Sequence, residues 1–278
     1  MPQYTRICKD GCGAEFTTSD VRKVYLNKKH ADRARNQVVD TNPVTPIGKL
    51  YKGTRSSDLG TYDSINELRF FSKLNDAGKE RVLLGEGGFS VVMFDIEATH
   101  LKPNVGRILC TSFKPIGGDV YTFDGHQAKF KQADVFDDSA LAMAVIEELE
   151  KYDIIVGWNS KNFDVKFTNS RAVRNGKGRT KRAQYHVDGM WSFRSKFSAW
   201  SGLNNVQRFL LPDNAAEKTS IEWDKWMQCL GWDAQLRKEA MAEIVEHCEL
   251  DVIVLEDVYR AVVRQGAVRS IRKDGGVL

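Results

Sequence analysis

Apolar and polar positions change their pattern near residue 88. Before it, polar and basic residues dominate, and the clearest signal is a stripe of apolar residues at helical spacing within 64–75. Ser64 and Glu67 form a capping-box pattern at the start of this stripe. After residue 88, apolar runs typical of strands alternate with amphipathic helical segments. We therefore predict a small, basic and mainly helical N-terminal region over 1–85 and an α/β domain over 86–278.

The α/β region contains a regular series of predicted elements. Apolar runs predict strands at 89–98, 107–114, 120–123, 153–158 and 186–191. Helical periodicity predicts helices over 139–152, 162–174 and most of 203–265. Gly117 and Gly118 form a hairpin signal between the second and third strands. Three meandering strands followed by alternating helices and strands predict a mixed five-stranded sheet flanked by helices.

Composition favours a folded protein in a reducing compartment. Of the 278 residues, 42% are hydrophobic, which is enough for a substantial core and argues against gross disorder. No apolar run reaches the roughly 18–20 residues of a membrane helix, so we expect no membrane partner. The N-terminus lacks the apolar segment of a secretory signal. Five scattered cysteines favour free thiols. We expect a cytoplasmic location, nucleoid-associated or, for a viral protein, in the host cytoplasm.

Two acids stand at the end of the first strand of the α/β region. Asp95 and Glu97 are separated by Ile96, and side chains two residues apart on a strand share one face of the sheet. Two carboxylates on an apolar strand need a cation or basic partners, because unpaired buried charge is very costly. Mg²⁺ binds oxygen ligands and keeps several waters. The pair therefore favours a divalent metal site over a solvated pair of acids at a strand end.

Two further acids occupy places that suit the same site. Asp164 follows a polar turn after a buried strand, at the carboxyl edge of the sheet where open α/β folds bind ligands. On its own, an Asp at such a place is more often a helix cap. Asp251 lies four residues after His247, so the two share one face of a predicted helix. This acid and imidazole suit metal binding and proton transfer, or they form an ordinary surface pair.

Three segments, taken in order, resemble the three motifs of the four-carboxylate (DEDD) 3′→5′ exonuclease superfamily. They are Phe-Asp-Ile-Glu-Ala-Thr at 94–99, Gly-Trp-Asn-Ser-Lys-Asn-Phe-Asp at 157–164 and His-Cys-Glu-Leu-Asp-Val at 247–252. The second has the Gly-x-Asn-x-x-x-Phe-Asp form of the proofreading domain of family-B DNA polymerases. The segments 186–190 and 203–210 also resemble that domain. The resemblance spans about residues 89–265 and implies a ribonuclease-H-like fold.

The resemblance implies a metal-dependent 3′→5′ exonuclease that acts on single-stranded or frayed 3′ ends of DNA. In such enzymes one of two divalent ions activates a water and the other stabilises the leaving 3′ oxygen. The residues that would hold two Mg²⁺ or Mn²⁺ ions are Asp95, Glu97, Asp164 and Asp251. Asn159 and Phe163 would contact the terminal nucleotide or its neighbour.

One position departs from the family pattern. Close relatives place a tyrosine four residues before the last Asp, where it orients the attacking water, and this chain has His247 there. Another branch uses a histidine five residues before that Asp, where this chain has Glu246. His247 therefore combines the residue of one branch with the spacing of the other. It could act as a general base near neutral pH, or it could point away and leave weak activity.

Basic residues cluster between the second and third motifs. The segment 161–196 contains ten Lys or Arg residues against two acids. A run of this kind is often a solvated loop, but its position beside the proposed site favours phosphate contacts. The residues expected to contact nucleic acid there are Arg171, Arg174, Lys177, Arg179, Lys181 and Arg182.

The N-terminal region offers two alternatives. Cys8 and Cys12 flank a Gly-containing turn and could begin a Zn²⁺ site. They could equally be ordinary thiols, because after His30 no Cys or His occurs before His100. Short helices after a basic arm could read DNA as a helix-turn-helix does, or they could be a packing extension.

Three functions stay open on the sequence alone. They are a DNA exonuclease, an RNA exonuclease with the same chemistry, and a nucleic-acid-binding protein with a weakly active nuclease core. Retention of all four carboxylates favours an active enzyme. The acids read phosphate geometry, so they do not distinguish DNA from RNA. Because the chain has no room for a polymerase, we expect it to act alone or with a polymerase or another replication or repair protein.

Overall fold

The computed structural model describes residues 3–7, 15–18, 71, 74–86, 88–134, 136–174, 185–197, 202–214, 221–268 and 272–273. The chain divides into two compact units, residues 1–78 and 79–278. In the first, β1 (Tyr4–Ile7) and β2 (Glu15–Thr18) form an antiparallel hairpin. This hairpin was not predicted, because strands of four residues are too short for a clear alternation. Cys8, Cys12 and nearly all of the helix predicted over 64–75 lie outside the described residues.

The second unit is built on a six-stranded mixed sheet in the order β5-β4-β3-β6-β7-β8. Its strands are β3 (Val91–Ala98), β4 (Ile108–Pro115), β5 (Tyr121–Asp124), β6 (Ile154–Gly157), β7 (Tyr185–Asp188) and β8 (Arg272–Lys273). The first three run antiparallel to one another, β6 and β7 run parallel to β3, and β8 is antiparallel to β7. The predicted five-stranded mixed sheet is confirmed, and β8 extends it by two residues.

Seven helices are present in the described part of the chain. They are α1 (Asp76–Leu83), α2 (Ser139–Leu149), α3 (Asp164–Arg174), α4 (Gly189–Phe197), α5 (Leu203–Leu210), α6 (Asp224–Gln228) and α7 (Ala234–Arg264). The predicted strand over 186–191 is too long, because α4 begins at Gly189. The carboxylate of Asp188 accepts the N–H of Trp191 and so satisfies a donor in the first turn of that helix. None of these helices combines the length and hydropathy needed to span a bilayer.

Helices cover both faces of the sheet. Phe94 and Ile96 of β3 belong to a buried cluster with α2 and with Phe167 of α3. A second cluster joins β4 to α6 and α7 on the other face. The 31-residue α7 begins at the N-cap Asp233, whose side chain accepts the N–H groups of Gln235 and Leu236. The middle of this long helix therefore lies against the centre of the sheet, where β3 and β4 meet.

Candidate active site

The carboxylates of Asp95 and Glu97 lie on the face of β3 that α7 covers. Because side chains alternate along a strand, Phe94 and Ile96 enter the core on the opposite face. The Sγ of Cys248, on α7, lies 3.5 Å from the backbone oxygen of Asp95 and 3.7 Å from its Oδ2. Asp95 and Glu97 therefore both face α7, as the alternation of side chains along a strand predicts. The pairing of β3 with β4 shifts register only after them, between Glu97 and Ala98.

Asp164 joins this pair from the start of α3. Its side chain is only 2% exposed, and its Oδ1 accepts a hydrogen bond of 3.2 Å from the N–H of Ile96. Ile96 lies between the two acids of β3, so this bond places the carboxylate of Asp164 beside both of them. The backbone of one strand thus fixes a side chain that is 68 residues away in sequence.

The loop between β6 and α3 is held by residues of β7. The carboxylate of Asp188 accepts the N–H of Asn159 at 3.1 Å and that of Lys161 at 3.0 Å. Ser160 Oγ lies 2.7 Å from Nε2 of His186. At Gly157, where the loop begins, a Cβ would collide with the side chain of Ser160. These contacts set the direction in which α3 starts, and with it the position of Asp164.

Two residues of α7 complete the site. Nε2 of His247 lies 3.8 Å from Oε1 of Glu97 and 3.8 Å from Oδ2 of Asp251. One ligand atom from each of these three side chains lies within 4.8 Å of the others, which is a spacing suited to one metal ion. The four-residue spacing on the helix places His247 and Asp251 on one face, as predicted.

A cavity of about 300 Å³ opens at this cluster. Asp95, His247 and Asp251 line it together with Trp158 and with residues 202–205 at the start of α5. This volume is at the lower end of the range for small-ligand pockets. Asp95 and Asp251 are therefore accessible to a ligand of modest size.

Burial and mutual repulsion shift the pKa values of the acids. Burial, with Cys248 and the other carboxylates, raises the pKa of Asp95 well above its ordinary value. Burial raises the pKa of Glu97 to about 8, although a hydrogen bond from Trp226 lowers it. Burial also raises the pKa of Asp164 to about 7, against the effect of backbone N–H groups. The cluster therefore holds its negative charges at a large free-energy cost unless a cation is present.

These residues fit a divalent metal ion. The four acids supply carboxylate oxygens, which are ligands of Mg²⁺ and Mn²⁺, and the imidazole of His247 lies beside them. Within the described ranges, no Lys or Arg forms an ion pair with Asp95, Glu97 or Asp164. A cation would offset the burial and the repulsion that raise their pKa values.

Trp226 belongs to the site although no sequence pattern indicated it. Its Nε1 donates a hydrogen bond of 2.7 Å to Oε2 of Glu97. Its ring meets that of His247 edge-on, with centroids 6.5 Å apart. Trp226 lies on α6, a five-residue helix with no strong periodicity, so only its contact across the fold reveals the role.

Of the six basic residues predicted to contact nucleic acid, the structure describes Arg171 and Arg174. Arg171 is 1% exposed and pairs with Asp138, its Nη2 lying 2.7 Å from Oδ1. Because the buried carboxylate of Asp138 binds this guanidinium, Arg171 cannot contact nucleic acid, and that prediction is wrong. Arg174 is exposed at the end of α3. Lys177, Arg179, Lys181 and Arg182 lie outside the described residues.

The two predicted nucleotide contacts lie beside Asp164. Asn159 has a positive φ of 60° and its Oδ1 accepts a hydrogen bond of 3.0 Å from Asn162. The ring of Phe163 is partly buried against the core, with its centroid 5.4 Å from that of Phe167. Their contact with a nucleotide stays a prediction.

Comparison with known proteins identifies the family. The sequence profile of the RNase H superfamily matches residues 92–263, more than half of the chain. The chain belongs to the RNase H superfamily. The four acids and His247 all lie within the matched range of this RNase H superfamily protein. Its fold is an RNase H-like nuclease fold, and two of its four acids, Asp95 and Glu97, lie on β3 within the sheet.

Among curated proteins, none matches the sequence. This RNase H superfamily protein is similar to a solved structure, that of the family B DNA polymerase from the hyperthermophilic archaeon Pyrobaculum calidifontis. The two share 18% sequence identity with a TM-score of 0.47. The match covers 65% of this chain and 24% of the polymerase chain, so the protein corresponds to about a quarter of that polymerase's length.

Proposed function

We propose that this protein is a metal-dependent 3′→5′ exonuclease that hydrolyses phosphodiester bonds at the 3′ end of DNA. The observation that carries the proposal is the convergence of acids from three separate elements. Asp95 and Glu97 come from β3, Asp164 from α3, and Asp251 from α7 together with His247. No core needs these acids together, because their repulsion and burial destabilise the fold.

The proposed chemistry uses each residue in a defined way. The four carboxylates would hold two Mg²⁺ or Mn²⁺ ions, which when bound would supply Lewis-acid activation of water and stabilisation of the leaving oxygen. Trp226 holds one oxygen of Glu97, so this carboxylate keeps a fixed orientation. His247 accepts the proton of the attacking water at Nε2, which faces both Glu97 and Asp251.

The size of the active-site cavity suits cleavage at the end of a nucleic-acid strand. Its volume of about 300 Å³ accommodates a terminal nucleotide more readily than a continuous duplex. The three motifs at 94–99, 157–164 and 247–252 resemble those of 3′→5′ exonucleases, which supports the polarity. Asn159 and Phe163 would then contact the terminal nucleotide, and the basic segment after Arg174 would contact the phosphates behind it.

The second candidate function is a nucleic-acid-binding protein with a weakly active nuclease core, because His247 replaces the tyrosine of close relatives. A binding protein with a weakly active core would still need the same acids to position metal ions. The two candidates differ in turnover and not in the location of the site.

A cleavage assay tests the proposal. 5′-labelled single-stranded DNA and RNA of the same sequence are incubated with Mg²⁺, Mn²⁺ or EDTA. We expect a ladder shortened from the 3′ end with either metal, none with EDTA, and a loss of at least about a hundredfold in Asp95→Ala.

The matched control is Glu246→Gln, an exposed acid on the same helix as Asp251, which should keep wild-type activity. An oligonucleotide blocked at its 3′ end should resist cleavage, whereas one blocked at its 5′ end should not. A ladder that survives Asp95→Ala rules out the four-acid site. No cleavage by the wild type with either metal favours the binding-protein alternative, and preferential RNA cleavage reassigns the substrate.

A further inference from the structure

A second cavity, of about 400 Å³, lies in the same unit and contains none of the four acids. Part of its wall is Arg107, immediately before β4, with Gly125 and His126 after β5. The rest comes from residues 130–134, Asp137, Leu230 and the first residues of α7. Its basic side chains are Arg107, Lys131, Arg237 and Lys238, together with His126.

Arg107 is the unusual member of this wall. Its side chain is only 6% exposed, and its Nε makes a long hydrogen bond of 3.4 Å to the carbonyl of Ile108. Among the described residues, it forms no ion pair with a carboxylate. Burial lowers the pKa of this guanidinium, with nearby Asp138 opposing that effect. A buried cation without its own counter-ion destabilises a protein.

The nearest buried carboxylate is already committed. Asp138 accepts hydrogen bonds of 2.9 Å and 2.7 Å from Nε and Nη2 of Arg171, and one of 2.7 Å from the N–H of Ile108. The two guanidiniums and the carboxylate of Asp138 have a net formal charge of +1, and of these two guanidiniums Asp138 pairs with that of Arg171. Arg107 is the member that lines the cavity, where Asp134 and Asp137 also attract it.

The cavity wall is shaped around that guanidinium. Gly125 also lines the cavity, and a Cβ placed on it would come within 2.8 Å of Nη2 of Arg107. The absence of a side chain at this position leaves room for the guanidinium at the wall. Ala234, the first residue of α7, lines the cavity too, but the carboxylate of Asp233 already caps the N-terminus of this helix.

Two acids oppose this positive charge. Asp134 and Asp137 line the cavity, but each accepts a backbone N–H within its own loop, at 2.8 Å from Phe136 and from Ser139 respectively. These hydrogen bonds favour the ionised carboxylates, and those to Ser139 lower the pKa of Asp137. Four basic side chains against two such acids leave the wall net positive.

We propose that this second cavity binds a phosphate group, with the guanidinium of Arg107 as its principal contact and Lys131 and Lys238 as secondary ones. A planar guanidinium donates two parallel hydrogen bonds to a phosphate, and the volume accommodates a mononucleotide. The phosphate comes from solution, from a nucleoside 5′-monophosphate, or from the 5′ end of a strand. The proposal does not rest on the proposed exonuclease activity.

Binding is measured on the full chain in EDTA, so that neither cleavage nor metal-bound phosphate contributes. Inorganic phosphate is titrated at constant ionic strength with NaCl as the reference, by calorimetry and by thermal unfolding. We expect saturable binding and a rise in the unfolding midpoint of roughly 5 °C at a hundredfold excess over Kd. Thymidine 5′-monophosphate and matched oligonucleotides with and without a 5′ phosphate then identify the source.

Arg107→Met should weaken phosphate binding by at least about tenfold, since it removes hydrogen bonds between charged groups. Its unfolding midpoint in NaCl alone should be equal to or above that of the wild type, because a buried cation is gone. Lys131→Ala and Lys238→Ala should each weaken binding roughly two- to fivefold. Both change only the surface, so they test the site even if Arg107→Met fails to fold. Lys151→Ala, an exposed cation outside the cavity, is the matched control.

Two results would overturn the proposal. One is a wild-type protein that responds to phosphate and to NaCl alike. The other is wild-type phosphate affinity in both Arg107→Met and the double variant Lys131→Ala/Lys238→Ala.

Discussion

The indole Nε1 of Trp226 donates a hydrogen bond of 2.7 Å to Oε2 of Glu97, a residue 129 positions away in the sequence. The same indole stacks on Trp223, with ring centroids 6.1 Å apart and an interplanar angle of 29°. Trp223 is 63% exposed, so the pair extends from solvent to one carboxylate of the site. The short helix α6 therefore fixes the orientation of an acid that β3 supplies.

Trp226→Phe removes this donor and keeps the aromatic packing. Because the hydrogen bond lowers the pKa of Glu97, its loss should raise that pKa further. We expect metal affinity to fall roughly 10–100-fold, as for other residues that orient metal ligands. Calorimetric titration with Mn²⁺ measures the change. Trp223→Phe, which lacks the contact with Glu97, should bind Mn²⁺ as the wild type does, and equal losses in both variants would contradict the role of the hydrogen bond.

His247 gives a prediction about turnover. If its Nε2 takes the proton of the attacking water, His247→Ala should lower kcat by at least about a hundredfold, and His247→Tyr should retain more activity. Steady-state cleavage of the p-nitrophenyl ester of thymidine 5′-monophosphate reports kcat without a long strand. Equal kcat values in the wild type and both variants would remove His247 from the mechanism.

The raised pKa values of Glu97 and Asp164 predict how the metal-free protein responds to pH. In the folded state these carboxyls hold protons up to a pH of about 8 and about 7 respectively. In the unfolded chain they release protons near pH 4. The folded state therefore binds more protons between these values, and its stability falls as pH rises from about 4 to about 8. Urea unfolding in EDTA at pH 6 and 8.5 should differ by a few kcal/mol.

Two comparisons isolate the cause of this pH effect. Glu97→Gln cannot ionise at position 97, so its free energy of unfolding should change less between the two pH values. Added Mg²⁺ should restore most of the loss at pH 8.5, because a bound cation stabilises the ionised acids. Identical pH profiles for the wild type and Glu97→Gln would show that these carboxyls do not set the response.

Asp188→Ala tests the loop that leads to Asp164. The substitution leaves the N–H groups of Asn159 and Lys161 without their acceptor, at about 1–3 kcal/mol each where they are buried. We expect the free energy of unfolding to fall by about 2–4 kcal/mol in urea. The exposed Asp119→Ala should stay within about 0.5 kcal/mol of the wild type. If both variants match the wild type, Asp188 does not stabilise the loop.

Local rules account for the parts of the site that the sequence predicts. Alternation along β3 places Asp95 and Glu97 on one face, and helical spacing places His247 beside Asp251. The order of strands and helices likewise predicts the mixed sheet. Three consecutive strands form a meander, and each later strand follows a helix that returns the chain to the same sheet. Each of these inferences involves residues that are neighbours along the chain.

Contacts between distant segments could not be predicted in this way. Trp226 reaches Glu97 only because α6 packs against α7 and β4, and no periodicity of that helix signals it. Arg171 looks like one cation in a basic run, and only the folded chain shows that Asp138 captures it. Nothing in the sequence marks Arg107 as unusual either. Its burial beside Asp138, which already binds Arg171, follows from the meeting of β4, α2 and α3.

The absence of a side chain at Gly157 also limits how this protein can evolve. Any larger residue would displace Ser160, break its contact with His186 and turn α3 away from the acids. Gly202 has ordinary backbone angles and open space around its Cα, so the fold places no such restriction on it. In a library that replaces every codon, selection for folding should return only glycine at 157 and a broad spectrum of residues at 202. Substitutions can therefore accumulate at Gly202 during evolution but not at Gly157.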